Sequence, residues 1–269
     1  MVESGLPAQR IQVLAVEPGS PAAQQLKQQG HKLIEGDLDN PESLPAVLRG
    51  VGAVYIHALA NDAAAADPAE VSRARALRIA MHRAGVRHVV YNSSAGRGCR
   101  VKVSQMEQKH AVEDMLAGAL PLTSLQATLF MEEFWRPSTR EAILRGTLEL
   151  AVPPDRPIQL VSVKDLGKLA VRALARPSQF AGQFIPLAGD ELTPRQLSEA
   201  FSAAQGSQVS FHELPPWPLL LFCRDAYNYT RFLREKGYEA DIEWCRRRFG
   251  LMDFRTFLED TRWGKPPSA

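Results

Sequence analysis

The sequence predicts an α/β protein organised around a mainly parallel sheet. Two observations carry this: short β-branched runs alternate with amphipathic helical stretches from Ile11 onward, and the starts of those stretches are marked by a capping side chain followed by proline. Strands are expected over residues 11–16, 31–34, 53–57, 88–92, 122–128 and 183–187. Ser20-Pro21, Asn40-Pro41, Asp67-Pro68 and Thr193-Pro194 each place proline at a first helical position, where its missing N–H costs nothing. The helix after Asp67 sets Val71, Ala74, Leu77, Ile79 and Ala80 on an apolar face that ends at Gly85, as a crossover helix lying on a sheet would. The short alanine run 63–66 reads as a loop edge or a helix start. From about Leu192 the texture changes to aromatic and proline-rich stretches such as Pro215-Pro216-Trp217-Pro218. The expected organisation is an α/β domain over residues 1–188 and a smaller, mostly helical lobe over residues 189–269.

Composition narrows the function classes. With 269 residues, 45% of them hydrophobic, the chain can bury a full core. Lys plus Arg number 32 against 30 Asp plus Glu, a net charge of +2, which provides no electrostatic footprint for nucleic acid. The three cysteines (Cys99, Cys223, Cys245) share no CxxC spacing and suggest neither a disulfide framework nor a zinc site, and the six histidines show no HxxxH pattern. His110 reads as a surface helix residue. The strongest apolar run, residues 218–222, stops near Arg224, so no membrane partner is expected. The default location is cytoplasmic, with the nucleus open.

A dinucleotide-binding fold opens with a strand, a glycine-rich turn and a helix N-terminus that receives the pyrophosphate. Residues 1–10 contain one glycine, Gly5, and no such unit. Gly50-Val51-Gly52 precedes a strand rather than following one, and Gly96-Arg97-Gly98 leads into a polar segment; both read as turns.

The order and spacing of several other segments resemble the NmrA-like family of atypical short-chain dehydrogenases/reductases, from Ile11 to about Trp263. The segments are Gly36-Asp37-Leu38-Asp39 with Pro41-Glu42-Ser43-Leu44, then Ala84-Gly85-Val86 leading to Tyr91-Asn92-Ser93-Ser94. Lys109 with Val112-Glu113, Leu129-Phe130-Met131-Glu132-Glu133-Phe134 and Val161-Ser162-Val163-Lys164-Asp165-Leu166-Gly167 follow, then residues 237–243 and Thr261-Arg262-Trp263. The resemblance implies a Rossmann-like doubly wound parallel sheet, here N-terminally truncated, with residues 11–16 as the family's second strand. A lost central strand would force the sheet to re-pair, recruit another chain or stay incomplete. NADP or NAD is the cofactor the family implies, with binding expected to be weak or lost.

The site residues implied are Ser93 and Lys109 for catalysis, and Glu17, Asp37, Leu38 and Lys109 for the cofactor. Glu17 stands where NADP-binding members carry an arginine; its carboxylate would repel a 2′-phosphate yet could accept from the 2′-hydroxyl of NAD, or it simply sits before the Pro18-Gly19 turn. Asp37 and Leu38 resemble adenine-side contacts, and Asp37 equally suits a loop cap. Ser93 or Ser94 and Lys109 fit the short-chain dehydrogenase pattern, but Gln105 holds the tyrosine position, four residues before Lys109, and an amide cannot protonate a carbonyl. Lys109 is balanced between a site role and an i,i+4 pair with Glu113. The aromatic set Phe130, Phe134, Trp135, Trp217, Tyr227, Tyr229 and Phe232 is expected to serve core packing ahead of lining a small-molecule cleft between the lobes.

These departures point to a regulatory or interaction module with a degenerate dinucleotide site and little or no redox catalysis, engaging a protein partner or a second copy through the incomplete sheet. The alternative is an NAD(P)H-dependent reductase of a small carbonyl or quinone-like substrate whose N-terminus is truncated. Whether the chain is an enzyme stays open at this level, as does its substrate.

Overall fold

The computed structural model describes Pro7, residues 10–59 and residues 66–264; the expectations for Gly5 and for Ala63–Ala65 fall outside the described residues. The chain forms two compact units that interleave in sequence. Unit 1 takes the described residues up to Ser93, with Gln108–Leu125 and Gly167–Ile185; unit 2 takes Ser94–Glu107, Gln126–Leu166 and the described residues from Pro186 onward.

Unit 1 begins with β1 (Gln12–Ala15), α1 (Pro21–Gln28), β2 (Lys32–Glu35), the short α2 (Leu44–Val47) and β3 (Ala53–Ile56). It continues through α3 (Glu70–Ala84) and β4 (His88–Ser94); α4 (Ser104–Ala117) and β5 (Leu122–Ala127) follow. The helix starts are made by the residues the sequence singles out. Ser20 accepts from the Ala23 N–H at 3.4 Å ahead of Pro21, and Asn40 accepts from the Glu42 N–H at 3.2 Å ahead of a short 3-10 turn begun by Pro41. Asp67-Pro68 differs: its turn lies ahead of the helix, which starts at Glu70. The Asp67 carboxylate accepts from the Ala69 N–H at 2.9 Å and is drawn into an ion pair with Arg73, so it stabilises the approach rather than the first turn. At the far end of α3, Gly85 takes φ 72° in the left-handed region that closes helices. Ala74, Leu77 and Met81 form the buried stripe of α3, whereas Ile79, expected on that face, is 42% exposed.

The sheet is divided. β1 and β2 form a parallel pair, with Gln12 opposite Lys32, and a separate four-stranded sheet runs in the order β3-β4-β5-β9, where β9 is Phe184–Leu187 and β3 is parallel to β4. Among the described residues no strand pairs with the second edge of β1 or with the outer edge of β3. Burial follows the pairing: every residue of β5 and all but the last of β4 are buried, while all four residues of β1 and three of the four in β3 are only half-buried. Amide hydrogen exchange is therefore expected to be slowest in β4 and β5 and at least about 100-fold faster in β1. Equal protection across these strands would show that the second edge of β1 is paired.

Unit 2 contains β6 (Leu129–Phe130), α5 (Pro137–Leu144), β7 (Thr147–Leu150) and β8 (Ile158–Val161). Most of α6 (Val163–Ala175), all of α7 (Pro177–Phe180) and the first half of β9 belong to unit 1 and interrupt unit 2. β10 (Asp190–Leu192), α8 (Pro194–Gln205), β11 (Ser210–Glu213), α9 (Trp217–Phe222), α10 (Arg224–Glu235), α11 (Ile242–Phe249) and α12 (Phe254–Asp260) complete it. β10-β8-β6 and β11-β7 are small sheets whose strands hold few β-branched residues. Thr193 and Gln196 form a reciprocal capping box at α8, each side chain taking up the other's backbone N–H. The core is aromatic: Phe201 packs against Phe134 and Phe254, both at 5.3 Å between ring centroids, and against Trp263 at 4.7 Å. Phe134 and Phe232 of the expected aromatic set are core residues; Trp217 is not, being 63% exposed.

Candidate functional site

The C-terminal ends of parallel strands in an open α/β sheet are where ligands bind, because strand ends and helix starts converge there. In unit 1 these ends bring together His57 after β3, Asn92 and Ser93 at the end of β4, Lys109 on α4 and Glu70 on the first turn of α3. The Lys109 ammonium faces the Glu70 carboxylate at 3.8 Å, with Glu70 1% exposed. Glu113, which the sequence offers as an alternative partner, instead accepts a short hydrogen bond from the Ser124 hydroxyl. The Asn92 amide N–H donates to the His57 carbonyl at 3.3 Å, while Asn92 Oδ1 and the Ser93 hydroxyl are buried without a hydrogen-bond partner among the described residues. Two adjacent unsatisfied polar groups at a strand end are the kind of feature a ligand's hydroxyl or amide would complete.

The electrostatics follow from burial beside charge. Burial pushes the Glu70 carboxyl above its usual value of 4.5, opposed by the Lys109 ammonium. Partial desolvation, then Lys109, pushes His57 below 6.5, towards neutral imidazole. Tyr91, fully buried with its hydroxyl unpartnered among the described residues, has its phenol raised above 10 by burial and then by the Glu70 and Glu113 charges, which makes it a poor proton donor. The folded chain therefore holds the Glu70 proton to higher pH than the unfolded chain does. The stability this contributes is complete below pH 4.5 and is lost as pH rises through the elevated folded value. Glu70→Gln is expected to flatten the decline in unfolding temperature above pH 4.5; a profile parallel to wild type by calorimetry would refute it.

The loops around these strand ends are tied by Arg73, which the sequence reading does not single out. Its guanidinium grips Asp39 in bidentate fashion at 2.6 and 2.8 Å, Asp67 at 2.6 Å and the Leu59 carbonyl at 2.8 Å, with the arginine 6% exposed. The ion pair with Arg73 holds the Asp39 carboxyl below its ordinary range. One side chain thus joins the loop after β2, the end of β3 and the approach to α3.

The remaining expected positions are placed as follows. Asp37 accepts from the Asp39 N–H at 2.8 Å, and its backbone N–H donates to the Ser43 hydroxyl at 3.0 Å, so it organises its own loop. Leu38 is half-buried against the unit 1 core. Glu17 is exposed two residues beyond β1, in the turn closed by the Ser20 N–H on the Glu17 carbonyl at 3.0 Å. Gly96 and Gly98, with φ of 84° and 76°, form a turn after β4; a Cβ on Gly96 would fall 2.5 Å from Met106 Cε. Gln105 sits on the first turn of α4, its backbone N–H held by Asp225 at 3.1 Å. His110, expected at the surface, is buried, because its face of α4 points inward. Among the described residues no group of three metal-ligating side chains occurs.

Parallel strand pairing with helices between the strands is the arrangement of a Rossmann-like α/β fold. The sequence profile of the NmrA-like family matches residues 7–247, and the chain belongs to that family. It is 26% identical over 196 residues to the NAD(P)H azoreductase of Xenophilus azovorans, a match that covers 70% of this chain and 64% of that protein. The structure is similar to an NADPH-dependent quinone oxidoreductase from Escherichia coli complexed with NADPH, with TM-score 0.79, 20% identity and coverage of 97% of this chain and 94% of that one. It is also similar to NmrA, a negative transcriptional regulator, in complex with NADP, with TM-score 0.70, 16% identity and coverage of 93% and 87%.

Proposed function

We propose that this NmrA-like chain is a regulatory or interaction module with a degenerate dinucleotide site and little or no redox catalysis. The carrying observation is the lack of a tyrosine hydroxyl at the position where the short-chain dehydrogenase pattern puts its proton donor. Gln105 occupies the tyrosine position, and the phenol that shares Glu70's field, Tyr91, is raised by burial. Asn92, Ser93 and Lys109 suit the ribose side of NAD or NADP, which when bound supplies a hydride. The chain's own contribution there is to orient that group, and Gln105 cannot protonate a substrate carbonyl as a tyrosine would. Exposed Glu17 beyond β1 favours NAD over NADP. The edges of β1 and β3 that no strand among the described residues pairs suit a protein partner or a second copy adding a strand.

The second reading, an NAD(P)H-dependent reductase of a small carbonyl or quinone-like compound, is favoured by the partnerless buried Asn92 Oδ1 and Ser93 hydroxyl and by the azoreductase relative. It requires a strand and glycine-rich turn from beyond the described residues. Calorimetry with NADH and NADPH, paired with NAD(P)H oxidation in the presence of a quinone, separates the two. The module reading expects affinity no tighter than on the order of 100 μM and no quinone-dependent oxidation. Micromolar affinity with turnover that Lys109→Met abolishes would replace it with the reductase.

A further inference from the structure

The face of α3 opposite its buried stripe presents Ala76, Ile79 and Ala80, where a solvated helix face would carry polar residues. α2 and the turn after it run alongside this face, and together they border a cavity of about 690 Å³ within unit 1. Its apolar lining comes from Pro45, Leu48, Ala76, Ile79 and Ala80. The volume lies in the range of roughly 300–1,000 Å³ that holds small-molecule ligands. None of Glu70, Asn92, Ser93 or Lys109 lines this cavity, so it is separate from the strand-end cluster.

The charge around the cavity has one sign. Arg49, Arg75 and Arg83 line it and are exposed, and no carboxylate is part of the lining; Glu42, beside Pro41 in sequence, is outside it. α3 holds four arginines and a single acid, Glu70, buried on the inner face, so the outer arginines find no carboxylate at i,i+4 on their own helix. Arg73 is spent on Asp39 and Asp67, whereas Arg49, Arg75 and Arg83 have no ion-pair partner among the described residues. Arg75 and Arg83 stand about 12 Å apart along the helix axis, so guanidinium groups border the apolar lining over two turns. Guanidinium forks match the planar or tetrahedral oxygens of carboxylate, sulfonate and phosphate groups. A second copy docked about a two-fold axis through this face would set the arginines near their own counterparts, which disfavours self-association.

We infer that the cavity between α2 and α3 binds an amphipathic organic anion, its apolar body against Leu48, Ala76 and Ala80 and its acidic group on the arginine rim. Anilinonaphthalene sulfonate is a suitable probe, and N-phenylnaphthylamine presents the same rings without the sulfonate. In fluorescence titrations the full chain is expected to bind the sulfonate at least about tenfold more tightly than the uncharged dye. Arg75→Glu/Arg83→Glu should weaken sulfonate binding at least about tenfold and change N-phenylnaphthylamine binding less than about twofold. Its unfolding temperature should not fall, because both guanidinium groups are exposed and make no ion pair among the described residues. Ala76→Trp, which places an indole in the cavity, should exclude both dyes. The helix α9 is another apolar surface a dye could reach, with Leu221 72% and Phe222 86% exposed, and Leu221→Glu/Phe222→Glu should leave the sulfonate affinity as in wild type. The inference is overturned if wild type binds the sulfonate no more tightly than the uncharged dye. It is equally overturned if the arginine variant or folded Ala76→Trp binds the sulfonate as wild type does, or if the α9 variant removes the binding.

Discussion

Phe201→Ala is expected to destabilise the protein by about 3–5 kcal/mol and to lower the unfolding temperature by on the order of 10 °C. Phe201 is fully buried on α8, and three rings surround it in edge or tilted contacts, so truncation leaves a cavity bounded by rigid groups that cannot collapse into it. Phe201→Leu, which keeps most of the volume, should cost only about 1–2 kcal/mol. Denaturant unfolding of the two variants checks both values. A loss below about 1 kcal/mol for the alanine would mean that the ring cluster closes over the space.

Arg73→Met should cost about 2–4 kcal/mol, because it leaves the buried Leu59 carbonyl and the largely buried Asp67 carboxylate without their guanidinium partner. The contact with Asp39 is discounted in this figure, since that carboxylate lies half in water. Arg73→Lys should recover less than half of the loss: one ammonium cannot reach three groups that a planar fork holds at once. Full recovery by lysine in thermal unfolding would show that net charge, not the fork, joins the loops.

The sheet-forming segments of unit 1 were legible because β-branched runs and cap-proline pairs act locally. Strands 12–15, 32–35, 53–56, 88–94, 122–127 and 184–187 lie within two residues of their expected bounds. The strands of unit 2 were not, since they hold few β-branched residues; they exist because tertiary packing aligns them. In the site, Ser93 and Lys109 were visible through the family pattern. Glu70 and Arg73 were not, because charged residues on a helix read as a solvated face, and Arg73's partner Asp39 lies 34 residues away. A signal was nonetheless present: Glu70, Arg73, Leu77 and Met81 recur at helical spacing on one stripe, so two charges head the face that carries the core. The exposure of α9 was invisible for the opposite reason. An apolar run predicts burial, and nothing in its own sequence says that no neighbour covers it.

The interleaving of the two units has a genetic consequence. A gene fragment ending at residue 188 would encode all of the described parts of unit 1, but also Met131, Phe134, Ile143, Leu148, Ile158 and Leu160, whose core is completed by Phe201, Phe254 and Trp263 further on. Such a product would expose half of an aromatic core, and the downstream piece would expose the other half. Exon shuffling, domain fusion or splice variation that cuts between these stretches therefore yields two aggregation-prone products rather than two modules.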